Sequence, residues 1–131
     1  EPAHVIAFRE LEKLKNEKLW QTGETKKYYI RLTEIIRQYL ENRFGVNSLE
    51  LTTSETLEAL IKTGFKKDES FNKLRSVLTG ADLVKFAKYK PDPAENESVY
   101  SNSYDFVSAT KAEEVIEEKS DVKDNQGEKG I

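Results

Sequence analysis

The 131-residue chain has no cysteine and no methionine, a single histidine, and only three prolines, at positions 2, 91 and 93. Without cysteine there is no disulfide framework, no thiol nucleophile and no cysteine-built zinc site. The lone imidazole, His4, excludes chemistry that needs two of them, and so near the terminus it reads as an exposed side chain. The six glycines, at 23, 45, 64, 80, 127 and 130, form neither G-x-G-x-x-G nor G-x-x-x-x-G-K-[ST], so the usual phosphate cradles are missing. H-E-x-x-H and the acidic calcium-loop pattern are missing too. No run approaches the roughly 18 apolar residues of a membrane span. Because residue 1 is Glu and no methionine occurs, the chain is expected to be a piece of a longer protein.

What is present is charge and helical periodicity. Charged residues make up 34% of the chain and hydrophobic residues 37%. That composition suits one domain of ordinary size with a single core. Residues 1–90 carry 17 Lys and Arg against 13 Asp and Glu, a net of +4, whereas residues 91–131 carry 4 Lys against 11 Asp and Glu, a net of -7. An excess of +4 falls well short of the basic footprint of a nucleic-acid domain. The acidic end reads as a solubilising tail, or as a segment that folds back on the basic body or meets a basic partner.

The stretch from residue 3 to residue 90 is free of proline, and its apolar residues recur at helical spacing. A first helix is expected over about Ala3 to Trp20, with Val5, Ala7, Phe8, Leu11, Leu14 and Leu19 on one side. A second runs from about Glu24 to Arg43, with Tyr28, Tyr29, Leu32, Ile35, Ile36, Tyr39 and Leu40 on one face and Gly45 as a left-handed stop. Val46 to Leu51 is a connector. Thr52 and Glu55 have the form of a capping box for a third helix, which buries Leu57, Leu60 and Ile61 and ends at Gly64. Asp68 caps a fourth, with Phe71, Leu74, Val77 and Leu78 inward and Gly80 as its end. Thr79 or Asp82 then starts a short helix through Tyr89. After the stiff Pro91-Asp92-Pro93 hinge, a last helix opens on Pro93. It carries Val99, Tyr100, Tyr104, Phe106, Val107 and Val115 on a broad apolar side. The expected fold class is all-α: a compact bundle of five or six helices over residues 1–116, with a disordered acidic tail over 117–131.

Chemistry-bearing constellations are scarce. Carboxylates at helical spacing, such as Glu10/Glu17 and Glu113/Glu117, lie on polar faces, not in a cleft that would split their pKa values. No catalytic, cofactor-binding or metal-binding residue is assigned. The tyrosines at 28, 29, 39, 100 and 104 suit core positions with hydroxyls reaching the surface better than a stacking platform. Trp20 lies off the main face of its helix, as a packing lid or an interface anchor. Lys85, Lys88 and Lys90 make a basic end beside the proline hinge. With Trp20 they are the candidate partner contacts; a solvated helix end is the plain alternative. The paired helices 52–63 and 68–79 also raise a helix-turn-helix reading, with Asn72, Lys73, Arg75 and Ser76 on the second helix. Asp68 and Glu69 would then face phosphates, which disfavours it.

Three stretches in order carry a resemblance: Tyr28 to Gly45 (YYIRLTEIIRQYLENRFG), Leu51 to Leu60 (LTTSETLEAL) and Ala81 to Tyr89 (ADLVKFAKY), followed by the proline hinge. This order resembles a bacterial family of membrane-anchored proteins of uncharacterised function. Its members are encoded beside MoxR-type AAA+ ATPases and the von Willebrand factor A proteins of the Bat aerotolerance group. A looser version, found in cytoplasmic tails of some transglutaminase-like membrane proteins, has proline where this chain has Thr53. The resemblance implies a non-enzymatic interaction module on the cytoplasmic face of the bacterial inner membrane, following a transmembrane segment upstream. It implies a protein partner, a MoxR-type ATPase or a von Willebrand factor A protein, and no cofactor. A DNA-binding regulatory domain is the alternative expectation.

Overall fold

Local chemistry sets each helix boundary. The computed structural model describes residues 1–113. These form α1 (Ala3–Glu17), α2 (Thr25–Phe44), α3 (Thr53–Lys62), α4 (Glu69–Phe86) and α5 (Pro93–Thr110), with 3-10 turns at Trp20–Thr22 and Ser48–Glu50. The all-α expectation holds: among the described residues there is no strand. The proposed tail 117–131, and the tail end of the last predicted helix with Val115, lie outside the described residues. None of the described helices is long and apolar enough to cross a membrane.

The predicted caps form. Gly45 takes φ 72, and its N–H reaches the Glu41 carbonyl at 2.9 Å. Thr52 Oγ1 accepts from the Glu55 N–H at 3.1 Å while Glu55 Oε1 accepts from the Thr52 N–H at 2.9 Å. Asp68 Oδ1 accepts from the Phe71 N–H at 3.1 Å. The hinge carries a second capping box, Asp92 with Glu95, around Pro93 at the first turn.

Three boundaries differ from the expectation. Helix α5 ends at Thr110, with Lys111 extended and residues 111–113 not helical, short of the expected 116. Helix α1 stops at Glu17, not Trp20, because Lys18 turns left-handed at φ 53. Helix α4 does not end at Gly80; it continues unbroken to Phe86. An interior glycine costs about 1 kcal/mol relative to alanine. Val77, Leu78 and Ala81 beside it are each no more than 1% exposed, and Val84 is buried one turn on. Burying even one such side chain is worth roughly 1.5–3 kcal/mol, so the continuous helix wins. Thr79 does not cap a new helix; its hydroxyl donates to the Arg75 carbonyl inside α4 at 2.6 Å.

Helix α2 lies at the centre and packs on α1, α4 and α5, while α4 and α5 lie along each other. Two adjoining apolar clusters form the core. One gathers Leu11, Leu14, Leu32, Val77, Ala81 and Val99. The other gathers Ile36, Tyr39, Leu60, Leu74, Phe106 and Val107. Val5 and Tyr104, expected inside, are 38% and 46% exposed. Tyr104 stacks on Phe8 at the surface, ring centroids 4.7 Å apart.

The core tyrosines do not send their hydroxyls to the surface, as expected from sequence; they bond inward. Tyr28 Oη donates to the Asn96 backbone carbonyl and Tyr29 Oη to Asn96 Oδ1, both at 2.8 Å. Tyr39 Oη pairs with Thr110 Oγ1 at 2.9 Å, and Tyr100 Oη donates to the Leu11 carbonyl at 2.9 Å. Burial is the main cause that pushes the Tyr28 and Tyr29 phenols far above the ordinary tyrosine value. The unfolded chain ionises these groups from about pH 10. Above that pH it has released protons that the native state still holds, so stability falls as pH rises. The denaturant midpoint is therefore expected to drop steadily above about pH 10, and less steeply in Tyr28→Phe. Tyrosinate absorbance from the buried rings should appear together with the loss of helical circular dichroism, not before it.

Candidate functional site

The C-terminal end of α4, the connector 87–92 and the first turn of α2 meet at one end of the bundle. Helix α4 finishes with Lys88 in the left-handed region at φ 59, an uncommon conformation for a side chain other than glycine or asparagine. The N–H groups of Ala87 and Tyr89 both reach the Leu83 carbonyl at 3.0 Å, which fixes this turn. Lys85, Lys88 and Lys90 come together there. With Lys26 from α2 they line a depression of about 490 Å³, walled also by Val84, Tyr89 and Pro91. No carboxylate lines it. Among the described residues none of the four lysines forms an ion pair. The edge near Gly23 and Thr25 is the start of α2, where Glu24 supplies no side-chain cap.

Lys85 is the least exposed of the four. Its Nζ donates to Thr33 Oγ1 on α2 at 3.2 Å and lies 5.5 Å from the Phe86 ring centroid. Burial, and then the nearby Arg37 charge, hold its pKa below the ordinary lysine value, while Asp82 and Glu34 pull the other way.

Beside the depression, α4 and α5 leave a second, mainly apolar groove of about 310 Å³, lined by Val77, Gly80, Leu83 and Val99 together with Ser76, Ser98 and Asn102. Gly80 is its open point: a Cβ added there would meet nothing within 4 Å. The groove has one acid, Glu95, and its carboxylate is occupied. Oε1 accepts from the Asp92 N–H at 2.9 Å, and the Tyr89 hydroxyl donates to Oε2 at 2.8 Å. Around these hollows three large apolar side chains are exposed. Phe86 is 78% exposed, Leu83 46% and Tyr89 44%. Leu83 and Phe86 are neighbours on the helix face at i,i+3. Clustered exposed apolar side chains of this size commonly mark interaction surfaces.

Trp20 sits elsewhere. It is half-buried in the turn after α1 and lines a different hollow of about 320 Å³ with Leu14, Tyr28, Glu97 and Tyr100. The four candidate contacts thus divide into three that converge and one that does not. Sequence reasoning missed Lys26, Leu83, Phe86 and the opening at Gly80. The signal for Phe86 was its place opposite the buried stripe of α4, visible only once the helix is known to run through Gly80.

The residues of the helix-turn-helix reading are held by neighbours. Lys73 pairs with Asp105 of α5 at 3.1 Å, and Arg75 donates to Asn72 Oδ1 at 2.8 Å. His4 packs edge-on against Phe8, ring centroids 6.2 Å apart. Glu17 is paired with Arg31 at 2.9 Å and Glu10 lies 3.7 Å from Lys13, so neither faces a shared cleft with the other; Glu117 lies outside the described residues. Among the described residues no group of three or more His, Asp or Glu stands close enough to hold a metal ion.

The three stretches singled out from the sequence meet through side chains. Arg37 of α2 is only 9% exposed. Its Nη1 donates to the Ser48 carbonyl at 2.7 Å, the Leu51 carbonyl at 2.8 Å and Thr56 Oγ1 at 3.1 Å, and its Nη2 to Thr53 Oγ1 at 3.4 Å. Lys85 returns to α2 through Thr33. Compared with known proteins, the chain matches no family model, no curated protein and no solved structure.

Proposed function

We propose that this chain is a non-enzymatic interaction module of an inner-membrane-anchored protein, and that it tethers or regulates a protein partner on the cytoplasmic face. The candidate partners are a MoxR-type ATPase or a von Willebrand factor A protein. The carrying observation is the 78% exposure of Phe86, whose ring centroid lies 5.5 Å from Nζ of Lys85, one of the lysines lining the depression. Leaving a phenylalanine in water forgoes roughly 1.5–3 kcal/mol that burial would return. A partner surface recovers that energy. The resemblance of the three stretches supplies the class of partner and the anchoring. The DNA-binding alternative has less support, because Lys73 and Arg75 are engaged within the fold.

The test is co-purification. The protein, expressed with whatever segment precedes this chain, is crosslinked in native membranes and recovered by affinity. Enrichment of the neighbouring ATPase or A-domain protein is expected, with at least a severalfold loss in Phe86→Ser. Enrichment of neither protein overturns the reading, and so does enrichment indifferent to Phe86.

A further inference from the structure

The partner segment itself has a chemistry that the surface specifies. Resting on the interaction reading above, we propose that the α4–α5 end binds an acidic peptide segment, with one apolar side chain in the groove over Gly80 and carboxylates over the lysine depression. The two hollows are adjacent, with Val84, Tyr89 and Pro91 in the lining of both. One short extended segment therefore reaches both. Their characters differ: Val77, Leu83 and Val99, beside the neutral Ser76, Ser98 and Asn102, wall the first, and four lysines with no carboxylate line the second. The one acid in the groove, Glu95, accepts from Asp92 and Tyr89 but keeps its negative charge, so the segment's apolar side chain belongs in the groove and its carboxylates over the lysines. Asp82 and Glu34 act on Lys85 from the α2–α4 side, but neither lines the depression.

Other anionic partners fit less well. A nucleic-acid backbone would use the lysines and leave the apolar groove empty. A membrane surface is broad and planar, whereas these lysines converge on a concavity. A peptide with mixed apolar and acidic side chains uses both hollows at once. Gly80 supports the same conclusion: it is a weak helix former in the middle of α4, and its missing side chain is what keeps the groove open. Lys88 is a second such residue, since its left-handed backbone would suit glycine better.

Both residues give substitutions that should not unfold the protein. Gly80→Leu projects into open space and favours the helix. Lys88→Gly relieves the backbone and removes a charge. The probe is a dye-labelled acidic peptide carrying one phenylalanine, titrated into the chain and followed by fluorescence polarisation. Comparison probes are the same peptide with Gln and Asn for its acids, the acidic peptide without phenylalanine, inorganic phosphate, and phosphatidylglycerol vesicles. The acidic phenylalanine peptide is expected to bind best. Gly80→Leu and the double variant Lys88→Gly, Lys90→Glu should each weaken it on the order of tenfold, with melting temperatures unchanged or raised. Affinity should fall with added salt. Equal binding of the amide peptide, tighter binding of phosphate or vesicles, or indifference to both variants overturns the proposal. The two readings separate cleanly. If the membrane experiment enriches its partner but Lys88→Gly, Lys90→Glu leaves capture intact, the acidic-peptide assignment fails and the interaction reading stands. If the peptide binds as expected while neither candidate partner is captured, the assignment stands and the partner identities fail.

Discussion

Replacing Arg37 with leucine is expected to lower the free energy of unfolding by about 3 kcal/mol, a shift of roughly 10 °C or more in melting temperature. The side chain is buried, yet among the described residues it forms no ion pair. It serves neutral oxygens instead: two backbone carbonyls, Ser48 and Leu51, and the hydroxyls of Ser48, Thr53 and Thr56. Leucine would leave the Leu51 carbonyl without its donor and strip the charged donor from the fully buried Ser48, whose carbonyl keeps only the Leu51 N–H at 3.0 Å. Each buried, unsatisfied acceptor costs about 1–3 kcal/mol. Part of the loss is offset because no desolvated charge remains, the same burial that pulls the guanidinium pKa down. Arg37→Lys should fall between, since one ammonium cannot reproduce the spread of a guanidinium. Urea denaturation of the three proteins decides it. Equal midpoints for wild type and Arg37→Leu would mean that the hydrogen bonds only repay the cost of burying the charge.

That arginine ties together in the fold stretches that each read as ordinary helix language in the sequence. Arg37 in the first stretch binds Leu51, Thr53 and Thr56 in the second. Lys85 in the third binds Thr33 in the first. Spacing alone gave the helical faces and the caps, because a cap is read from residues a few positions apart. It did not give the long-range bonds, because nothing local in sequence says which carbonyl an arginine will reach.

Gly80 shows the other limit. Read locally, a glycine before Ala81 and Asp82 looks like a stop followed by a new cap. The tertiary burial of Val77, Leu78, Ala81 and Val84 overrides that preference. Splitting the helix there also hid Leu83 and Phe86 as one exposed pair. The lysines were found because charge near a proline hinge is visible in sequence. Their partner from α2, Lys26, was not, because only the fold brings residue 26 beside residue 85.

The largest single loss is expected from Phe106→Ala, about 4 kcal/mol. Phe106 is fully buried on α5. Its ring lies 6.0 Å from Tyr39 at an interplanar angle of 86°, and 6.1 Å from Phe65, which in turn meets Phe44 at 5.4 Å. The ring therefore ties α5 to α2 and to the loop between α3 and α4. Removing it opens a cavity that rigid neighbours fill poorly, and forfeits an edge-to-face contact with Tyr39 worth about 0.5–1.5 kcal/mol and a tilted one with Phe65. A domain with a total stability of about 5–15 kcal/mol feels a loss of that size strongly. Phe106→Leu, which keeps much of the buried surface, should cost less than half as much. Helix α5 is also one wall of the apolar groove, through Val99. Phe106→Ala should thus speed amide exchange along α5 more than along α1, and weaken binding at the groove without altering any residue that lines it. Uniform acceleration across all helices would show instead that the five helices open only as one unit, and that α5 has no independent freedom for a partner to exploit.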